Sequence, residues 1–314
     1  MSLKDDILKE LINSGDYISG QALAEKFEKS RAAVWKAVKS LISDGYSIDA
    51  VTNKGYILTS GNNVLSARSV KAYMEKETDV IYLPSIDSTN NYCKKLLAQG
   101  KEGTFLVVSD CQTNGRGRQG KSFYSPPGSG VYFSLVIRPH TTLENSVTAT
   151  TAAAVAVCKA IEKLTSKSPK IKWVNDVYLD GKKICGILTE AITNFEDSTV
   201  DSVIIGIGIN ISTSSFPSEI TNAGCLDADV NKSNLVALTA DYLLTTAVSG
   251  YNDFIDYYRS HSMIIGEKIK FIKDSQVTYG TATAIDETGG LEVELEDKSR
   301  IVLRSGEITI RKID

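Results

Sequence analysis

Serines placed to cap helices divide the first sixty residues into short helical segments. Ser19 predicts the start of a helix over 21–27. Ser30 predicts the start of another over 31–43, in which apolar residues recur at helical spacing. Alternating residues then flank a turn at 52–55, which is typical of a β-hairpin. Helices followed by a hairpin predict a winged helix-turn-helix.

The last of these helices has an apolar face and a cationic face. Residues 26–39 hold five basic side chains against Glu28 alone, a local charge of +4. A Trp among cations suits the DNA major groove, and a Lys at the tip of the hairpin suits a phosphate. The predicted DNA-contacting residues are Arg31, Ala32, Trp35, Lys36, Lys39 and Lys54. The alternative is a small helical domain whose charged face is only solvated.

The composition is that of an ordinary globular protein. Hydrophobic residues make up 42% of the 314 residues, charged residues 23%, and the formal net charge is −3. These values exclude low-complexity disorder and a miniprotein built on disulfides. Apolar runs stay well short of the ~20 residues that a membrane span needs, and the first ten residues lack the apolar core of a signal peptide. We therefore expect a cytoplasmic protein with no membrane partner.

The cysteines and histidines argue against metal and nucleophile chemistry. The five cysteines are scattered and form no CxxC pair, so we expect reduced packing residues. His140 and His261 have no metal-type partners at close spacing. This shortage argues against a zinc site and against a Ser-His-Asp or Cys-His hydrolase.

A segment rich in glycine and arginine, residues 112–121 (the Gly/Arg segment), follows a predicted buried strand at 104–109. In residues 112–121 the glycines let the backbone approach a ligand, while Arg116, Arg118 and Lys121 supply cations for a carboxylate or phosphate. The segment is neither a Walker A loop nor a strand-to-helix GxGxxG. On composition alone, it could also be a mobile surface loop or a nucleic-acid-binding loop.

A second cationic position lies in a predicted hairpin. Residues 170–179 are predicted as one strand, 180–183 as a turn and 184–190 as the returning strand. Lys183 is thereby predicted at the edge of the hairpin, where its ammonium could reach a bound carboxylate or phosphoryl group.

Further strands are predicted towards the end of the chain. Residues 203–210 form a buried-strand pattern whose two glycines either permit close backbone approach or relieve crowding. Five short alternating segments then predict a small β-barrel that covers the central sheet or contacts a substrate or a partner protein. They are 267–272, 277–285, 291–295, 300–303 and 307–310.

Five motifs in order along the chain carry a resemblance to a known family. They are Ser88-Thr89-Asn90, Gln112 with Gly115-Arg116-Gly117-Arg118-Gln119-Gly120, Lys172-Trp173-Val174-Asn175-Asp176, Gly181-Lys182-Lys183-Ile184-Cys185-Gly186-Ile187-Leu188 and Gly206-Ile207-Gly208-Ile209-Asn210. In this order and spacing the chain resembles the biotin protein ligases. With the winged domain it resembles the bacterial members that also repress the biotin operon.

The resemblance implies an α+β chain of three domains. They are a winged helix-turn-helix over 1–60, a mixed α/β ligase domain of the class II synthetase-like kind over 64–266, and an SH3-like barrel over 267–314. It implies an enzyme that makes biotinyl-5′-AMP from biotin and ATP with Mg²⁺, and then transfers biotin to a lysine of a carrier protein. It also implies a homodimer that binds operator DNA.

The resemblance also assigns site residues. The expected biotin-binding residues are Ser88, Thr89, Asn90, Gln112, Arg116, Gly117, Arg118 and Lys183. Lys183, Arg116 and Arg118 are expected to serve catalysis, and Lys172, Asn175 and Asp176 to bind the ATP phosphates, with Asp176 also on magnesium. The chain departs from the family at Val174, where Pro is usual, at Phe123, where Trp is frequent, and at Gln119, which is basic in some relatives.

Two other functions fit the same motifs. One is a transcription regulator that senses a small acid without converting it, and the other is a lipoate ligase. Retention of Arg116, Arg118 and Lys183 favours an enzyme over a sensor. The segment from Gly115 to Gly120 and the winged domain favour biotin over lipoate.

Overall fold

The computed structural model describes residues 2–59, 62–138, 146–193, 200–249, 252–273, 276–304 and 308–310. The N-terminal elements are α1 (Leu3–Ser14), α2 (Gly20–Lys26), α3 (Arg31–Ser43), β1 (Ile48–Val51) and β2 (Gly55–Leu58). Ser19 and Ser30 cap α2 and α3 through their side chains, and β1 pairs antiparallel with β2. The predicted winged helix-turn-helix is confirmed.

The wing is held against the start of α2 by close backbone contact. Ile18 and Tyr56 exchange backbone hydrogen bonds of 2.9 Å in both directions. Gly55 makes this approach possible: its φ is +113°, and a Cβ there would lie 2.0 Å from the Ile18 carbonyl oxygen. Lys54 next to it is exposed at the tip.

The centre of the chain forms a seven-stranded mixed sheet with helices on both faces. Its elements are α4 (Ala67–Tyr73), β3 (Asp79–Leu83), α5 (Thr89–Ala98), β4 (Phe105–Ser109), β5 (Gly130–Ile137), α6 (Ser146–Leu164), β6 (Lys170–Lys172), β7 (Asp176–Leu179), β8 (Lys182–Thr193), β9 (Val200–Asn210), α7 (Lys232–Ser249) and α8 (Asn252–His261). The strand order is β3-β4-β5-β9-β8-β7-β6. β3 and β4 are parallel, and the other neighbouring pairs among these strands are antiparallel. Because α5 covers one face and α6 and α7 the other, β5 is buried along its whole length.

The prediction of a single strand over 170–179 was wrong. The structure has two strands here, β6 and β7, joined by a turn at residues 173–175. The turn is fixed by partners distant in sequence: Asn175 Nδ2 donates to the Ile187 carbonyl at 2.9 Å, and the Tyr258 hydroxyl donates to the Val174 carbonyl at 3.3 Å. Apolar and polar residues alternate on both sides of the turn without a Gly or Pro, so the local pattern carried no signal of it.

The C-terminal strands form an antiparallel sheet that packs on the central core. They are β10 (Lys268–Lys273), β11 (Gln276–Ile285), β12 (Leu291–Leu295), β13 (Arg300–Leu303) and β14 (Ile308–Ile310), in the order β13-β12-β11-β10-β14. Ile269, Phe271 and Leu291 are buried in the same cluster as the central strands. The predicted SH3-like domain is confirmed, and its described strands form one antiparallel sheet. Glu307, at the predicted start of the last strand, lies outside the described residues.

A tight turn of this sheet contacts the hairpin of β6 and β7. The Trp173 indole N–H donates to the Gly289 carbonyl at 2.9 Å, and Trp173 is buried. Asp286 shapes the turn by accepting from the backbone N–H groups of Thr288 (2.9 Å) and Gly290 (2.8 Å). The C-terminal sheet thus braces the segment that was predicted to bind phosphates.

We expect Trp173→Phe to lower the free energy of unfolding by about 2 kcal/mol, because it leaves the buried Gly289 carbonyl without its donor. Trp35→Phe is the matched control, since Trp35 is 49% exposed and its replacement should change stability by less than about 0.5 kcal/mol. Urea unfolding followed by circular dichroism measures both. Equal stabilities of the two variants would contradict a role of the indole in bracing the hairpin.

The winged region is joined to the centre by specific contacts. Arg68 of α4 donates to Asp5 at 2.6 Å and to Asp44 at 3.0 Å. Between the predicted domains over 1–60 and 64–266, Asn63 accepts from the Lys232 backbone N–H at 3.0 Å, whereas Ser60 and Gly61 lie outside the described residues.

The five cysteines, all within the described residues, are free thiols, and Cys93, Cys158 and Cys185 are buried. Among the described helices, none is both long enough and apolar enough to cross a membrane.

Candidate active site

A cavity of about 280 Å³ opens beside the central sheet, between the start of α5, the Gly/Arg segment and the hairpin of β6 and β7. Eleven residues that the sequence predicted for biotin, catalysis or phosphates line it. They are Ser88, Thr89, Asn90, Gln112, Arg116, Gly117, Arg118, Lys172, Asn175, Asp176 and Lys183. Segments up to about a hundred residues apart in the chain therefore meet at one place.

The floor of the cavity is a chain of hydrogen bonds that are buried or partly buried. Ser134 Oγ donates to Asn90 Oδ1 at 2.6 Å and lies 2.7 Å from Thr89 Oγ1. The Thr89 backbone N–H and its hydroxyl both donate to Gln112 Oε1, at 2.9 and 3.2 Å. Gln112 Nε2 in turn donates to Ser125 at 3.1 Å. Because each group is held by its neighbours, the floor presents polar atoms in fixed positions to a neutral ligand.

Two glycines of β9 leave room for the side chains of Asn90 and Phe123, which pack against this strand. A Cβ at Gly206 would lie 2.2 Å from Asn90 Oδ1, and a Cβ at Gly208 would lie 2.5 Å from the Phe123 ring. The sequence left two roles open for this pair; the structure supports relief of crowding, and both glycines also line the cavity. Phe123 lines the cavity and meets Tyr132 edge-on, with 6.3 Å between the ring centroids.

The opposite end of the cavity is cationic. Lys183 Nζ lies 2.6 Å from Asp176 Oδ1, and Arg118 Nη1 donates to Asn175 Oδ1 at 3.1 Å. Lys172 lines the same end, with Nζ 5.8 Å from the centroid of the Tyr178 ring. Cations thus outnumber carboxylates among the described lining residues, which suits an anionic ligand: the cations are Arg116, Arg118, Lys121, Lys172 and Lys183, and the carboxylate is Asp176.

The backbone of Lys183 is fixed by a loop from the other side. Its N–H donates to the Asn222 carbonyl at 2.8 Å, and its carbonyl accepts from Gly224 at 2.9 Å. The neighbouring Lys182 points elsewhere, with Nζ donating to the Thr221 carbonyl at 3.1 Å. Of the two adjacent lysines, the one that the sequence analysis chose is the one in the cavity.

Arg116 lies at the rim, and its guanidinium bonds away from the Lys183 end. Its Nη1 donates to Asn91 Oδ1 at 3.0 Å and lies 3.3 Å from Glu190 Oε1. Glu190 also accepts from Lys94 at 2.7 Å. Glu190 was not among the predicted site residues, although an acidic side chain at the end of the predicted apolar strand over 184–190 was a signal for it.

Glu190 is ionised in this environment. Burial would raise the pKa of its carboxyl, but hydrogen bonds from Lys94 and Asn90 and the charges of Lys94 and Arg116 outweigh that effect. The pKa therefore lies below its usual value, and the carboxylate carries its charge at neutral pH.

The described residues bring no three His, Cys, Asp or Glu side chains together as a metal-binding group. Asp176 is the one carboxylate among the described residues that line the cavity.

The exposed face of α3 is the second candidate site. Val34, Ala37, Val38 and Leu41 are buried, whereas the predicted DNA-contacting residues of this helix are exposed. Lys39 Nζ lies 4.4 Å from the centroid of the Trp35 ring, so the indole and the cation form one surface. Lys54 lies near the Tyr17 ring, at 5.6 Å.

The fold and the cavity together define the class of this protein: a winged helix-turn-helix is joined to a mixed-sheet domain, and the cavity of that domain suits an anionic ligand. Residues 82–210 match the Biotin/lipoate A/B protein ligase family, 4–57 match an HTH domain, and 264–311 match the biotin protein ligase C terminal domain. The chain belongs to the biotin protein ligase family.

Relatives match along nearly the whole chain. The bifunctional ligase/repressor BirA of Bacillus subtilis (strain 168) is 32% identical over 94% of this chain and 95% of its own length. The protein of the same name from Escherichia coli (strain K12) is 27% identical over 97% and 96%. Among solved structures, the biotin protein ligase from Aquifex aeolicus in complex with biotin and ATP is 26% identical, with a TM-score of 0.62 over 76% of this chain and all of that chain.

Proposed function

We propose that this chain joins biotin to ATP to form biotinyl-5′-adenylate and then transfers biotin to a lysine of the biotin carboxyl carrier domain of a carboxylase. The observation that carries this proposal is the division of the cavity into a neutral hydrogen-bonding floor and a cationic end. Biotin has a neutral polar ring and a carboxylate at opposite ends, so it matches both. The similar bifunctional ligase/repressors support the same function.

The residues suit both steps of the reaction. In the first, a carboxylate oxygen of biotin attacks the α-phosphorus of ATP and pyrophosphate leaves. Both reactants are anions, so Lys183, Arg118 and Lys172 lower their repulsion and stabilise the charge that develops. In the second step, the acceptor lysine attacks the acyl carbon and AMP leaves. A protein nucleophile is not needed in either step.

Magnesium is part of the proposal. Mg²⁺ is usually held by one or two carboxylates together with phosphate oxygens, and Asp176 is a carboxylate at the cationic end of the cavity. Asp176 would hold the ion, which would neutralise phosphate charge when bound. Lys183, its present partner at 2.6 Å, would then be free to face the ligand.

We further propose that the chain represses transcription as a homodimer. One helix-turn-helix reads a short site, so two copies on a two-fold operator would supply specificity. The exposed cationic face of α3 and Lys54 on the wing support DNA contact. Bound adenylate would favour the dimer and thereby couple biotin supply to DNA affinity.

Incubation of the purified protein with ATP and labelled biotin or lipoate, with and without a carrier domain, tests the enzyme. We expect AMP-linked biotin without the acceptor and labelled acceptor with it. A regulator that only senses biotin would bind it without consuming ATP, and a lipoate ligase would prefer lipoate. Either result would overturn the proposal.

Gly206→Ala should weaken biotin binding about tenfold or more, because the added methyl group would collide with Asn90 at 2.2 Å and displace the floor. Gly20→Ala is the matched control: the nearest atom to a Cβ there, on Tyr56, is at 3.4 Å, an ordinary contact. Isothermal titration calorimetry with biotin measures both. Unchanged affinity in Gly206→Ala would mean that the floor does not bind the ligand.

A further inference from the structure

Glu190 lies beside the cavity but does not line it. It is on β8, and its side chain is 18% exposed. Its carboxylate meets three donors: Asn90 at 2.9 Å, Lys94 at 2.7 Å and Arg116 at 3.3 Å. Two of these three, Asn90 and Arg116, do line the cavity. An ionised group in this place can shape the site without touching the ligand.

The first contact fixes the orientation of the Asn90 amide. Asn90 Oδ1 accepts from Ser134, while its Nδ2 donates to the Leu188 carbonyl at 3.2 Å and to Glu190. Asn90 is buried, so an amide hydrogen without an acceptor would be costly. Glu190 therefore holds the amide in the orientation that the Ser134–Thr89–Gln112 chain requires.

The second contact ties down the Gly/Arg segment. Arg116 is joined to Glu190 on β8, and Arg118, two residues later, is joined to Asn175 in the turn between β6 and β7. These side chains attach the segment to the sheet at two points. Because Arg116 is 39% exposed, this tie is at the rim, where a ligand would enter and leave.

We propose that Glu190 is a positioning residue of this cavity, which acts through Asn90 on the floor and through Arg116 on the Gly/Arg segment and so sets how long biotin stays bound. The inference rests on the proposed function, since it takes biotin as the ligand.

Glu190→Gln separates the contact with Asn90 from the contact with Arg116. Glutamine keeps an acceptor for Asn90 but loses the charge that holds Arg116, so we expect the dissociation rate of biotin to rise about tenfold. The KM for ATP should stay within about twofold, because the substitution does not touch the cationic end, where the ATP phosphates are proposed to bind. Glu190→Ala removes both contacts and should raise the dissociation rate further. Lys94→Met is the control, since it removes only the outer ion pair and should leave that rate unchanged.

A double-mutant cycle tests the route through Arg116. In an Arg116→Ala background, Glu190→Gln should add less than about twofold to the dissociation rate, because the contact it breaks is already gone. The rate is measured by chasing labelled biotin from the full-length protein with unlabelled biotin. Melting temperatures of all variants report on folding.

The outcomes separate this inference from the proposed function. If the wild-type protein does not bind biotin, the proposed function fails and the inference with it. If the wild type binds biotin and Glu190→Gln releases it at the wild-type rate, the inference alone fails. Additive effects in the cycle, or equal rises in the KM for ATP and for biotin, would show a general structural role and would also overturn it.

Discussion

Replacing Lys183 by alanine should slow adenylate formation by about 100-fold while the fold stays intact. The loss of a cation beside the developing negative charge accounts for about 3 kcal/mol of the barrier. The Asp176 carboxylate, now 2.6 Å from Lys183 Nζ, would remain without that partner and would add to the repulsion of incoming anions. Pyrophosphate release from ATP in the presence of biotin measures the rate.

Lys182→Ala is the matched control for this experiment. It removes the same charge from the adjacent residue, whose ammonium bonds to the Thr221 carbonyl outside the cavity. We expect its rate of pyrophosphate release to stay within about twofold of the wild type. Similar rates for the two variants would remove Lys183 from the mechanism, because the loss would then reflect net charge rather than position.

Local signals in the sequence were enough to predict the helices and the hairpin of the winged region. The serine caps and the apolar spacing predicted α3 from Arg31 to Ser43, and the structure has these same bounds. Caps and helical periodicity act within a few residues, so they can be recognised without knowledge of the rest of the chain. The turn at residues 173–175 could not be recognised in this way, because its partners Ile187, Tyr258 and Gly289 lie far away in sequence.

The sequence predicted which residues line the cavity, but not which of them contact one another. The ordered motifs named the residues that the fold brings to the cavity, yet they grouped Arg116 with Arg118 and Lys183 as catalytic cations. In the structure Arg118 bonds to Asn175 in the turn between β6 and β7, whereas the Arg116 guanidinium faces Glu190. Which carboxylate a given arginine meets depends on how β8 passes the Gly/Arg segment, and spacing along the chain does not contain that information.

The double variant Arg31→Ala/Lys36→Ala should lower operator affinity by about 100-fold or more at 0.1 M salt. Both side chains are exposed on α3, and each phosphate contact contributes a slope of about −0.9 in log affinity against log salt. The salt slope should therefore fall by about two for each protomer bound. Fluorescence anisotropy with DNA from upstream of biotin-synthesis and transport genes, at several salt concentrations, measures both quantities.

The control and the ligand dependence decide what this loss of affinity means. Lys71→Ala/Lys298→Ala removes two cations from outside the winged region, one paired with Asp79 and one with Glu294. If it weakens binding as much as the α3 variant does, the effect is one of net charge and α3 is not the DNA-contacting face. For the wild type, biotin with ATP should strengthen binding, since ligand that stabilises the dimer also stabilises two-site binding. Equal affinity with and without biotin and ATP would leave a ligase that binds DNA independently of its substrate, and adenylate would not be the corepressor.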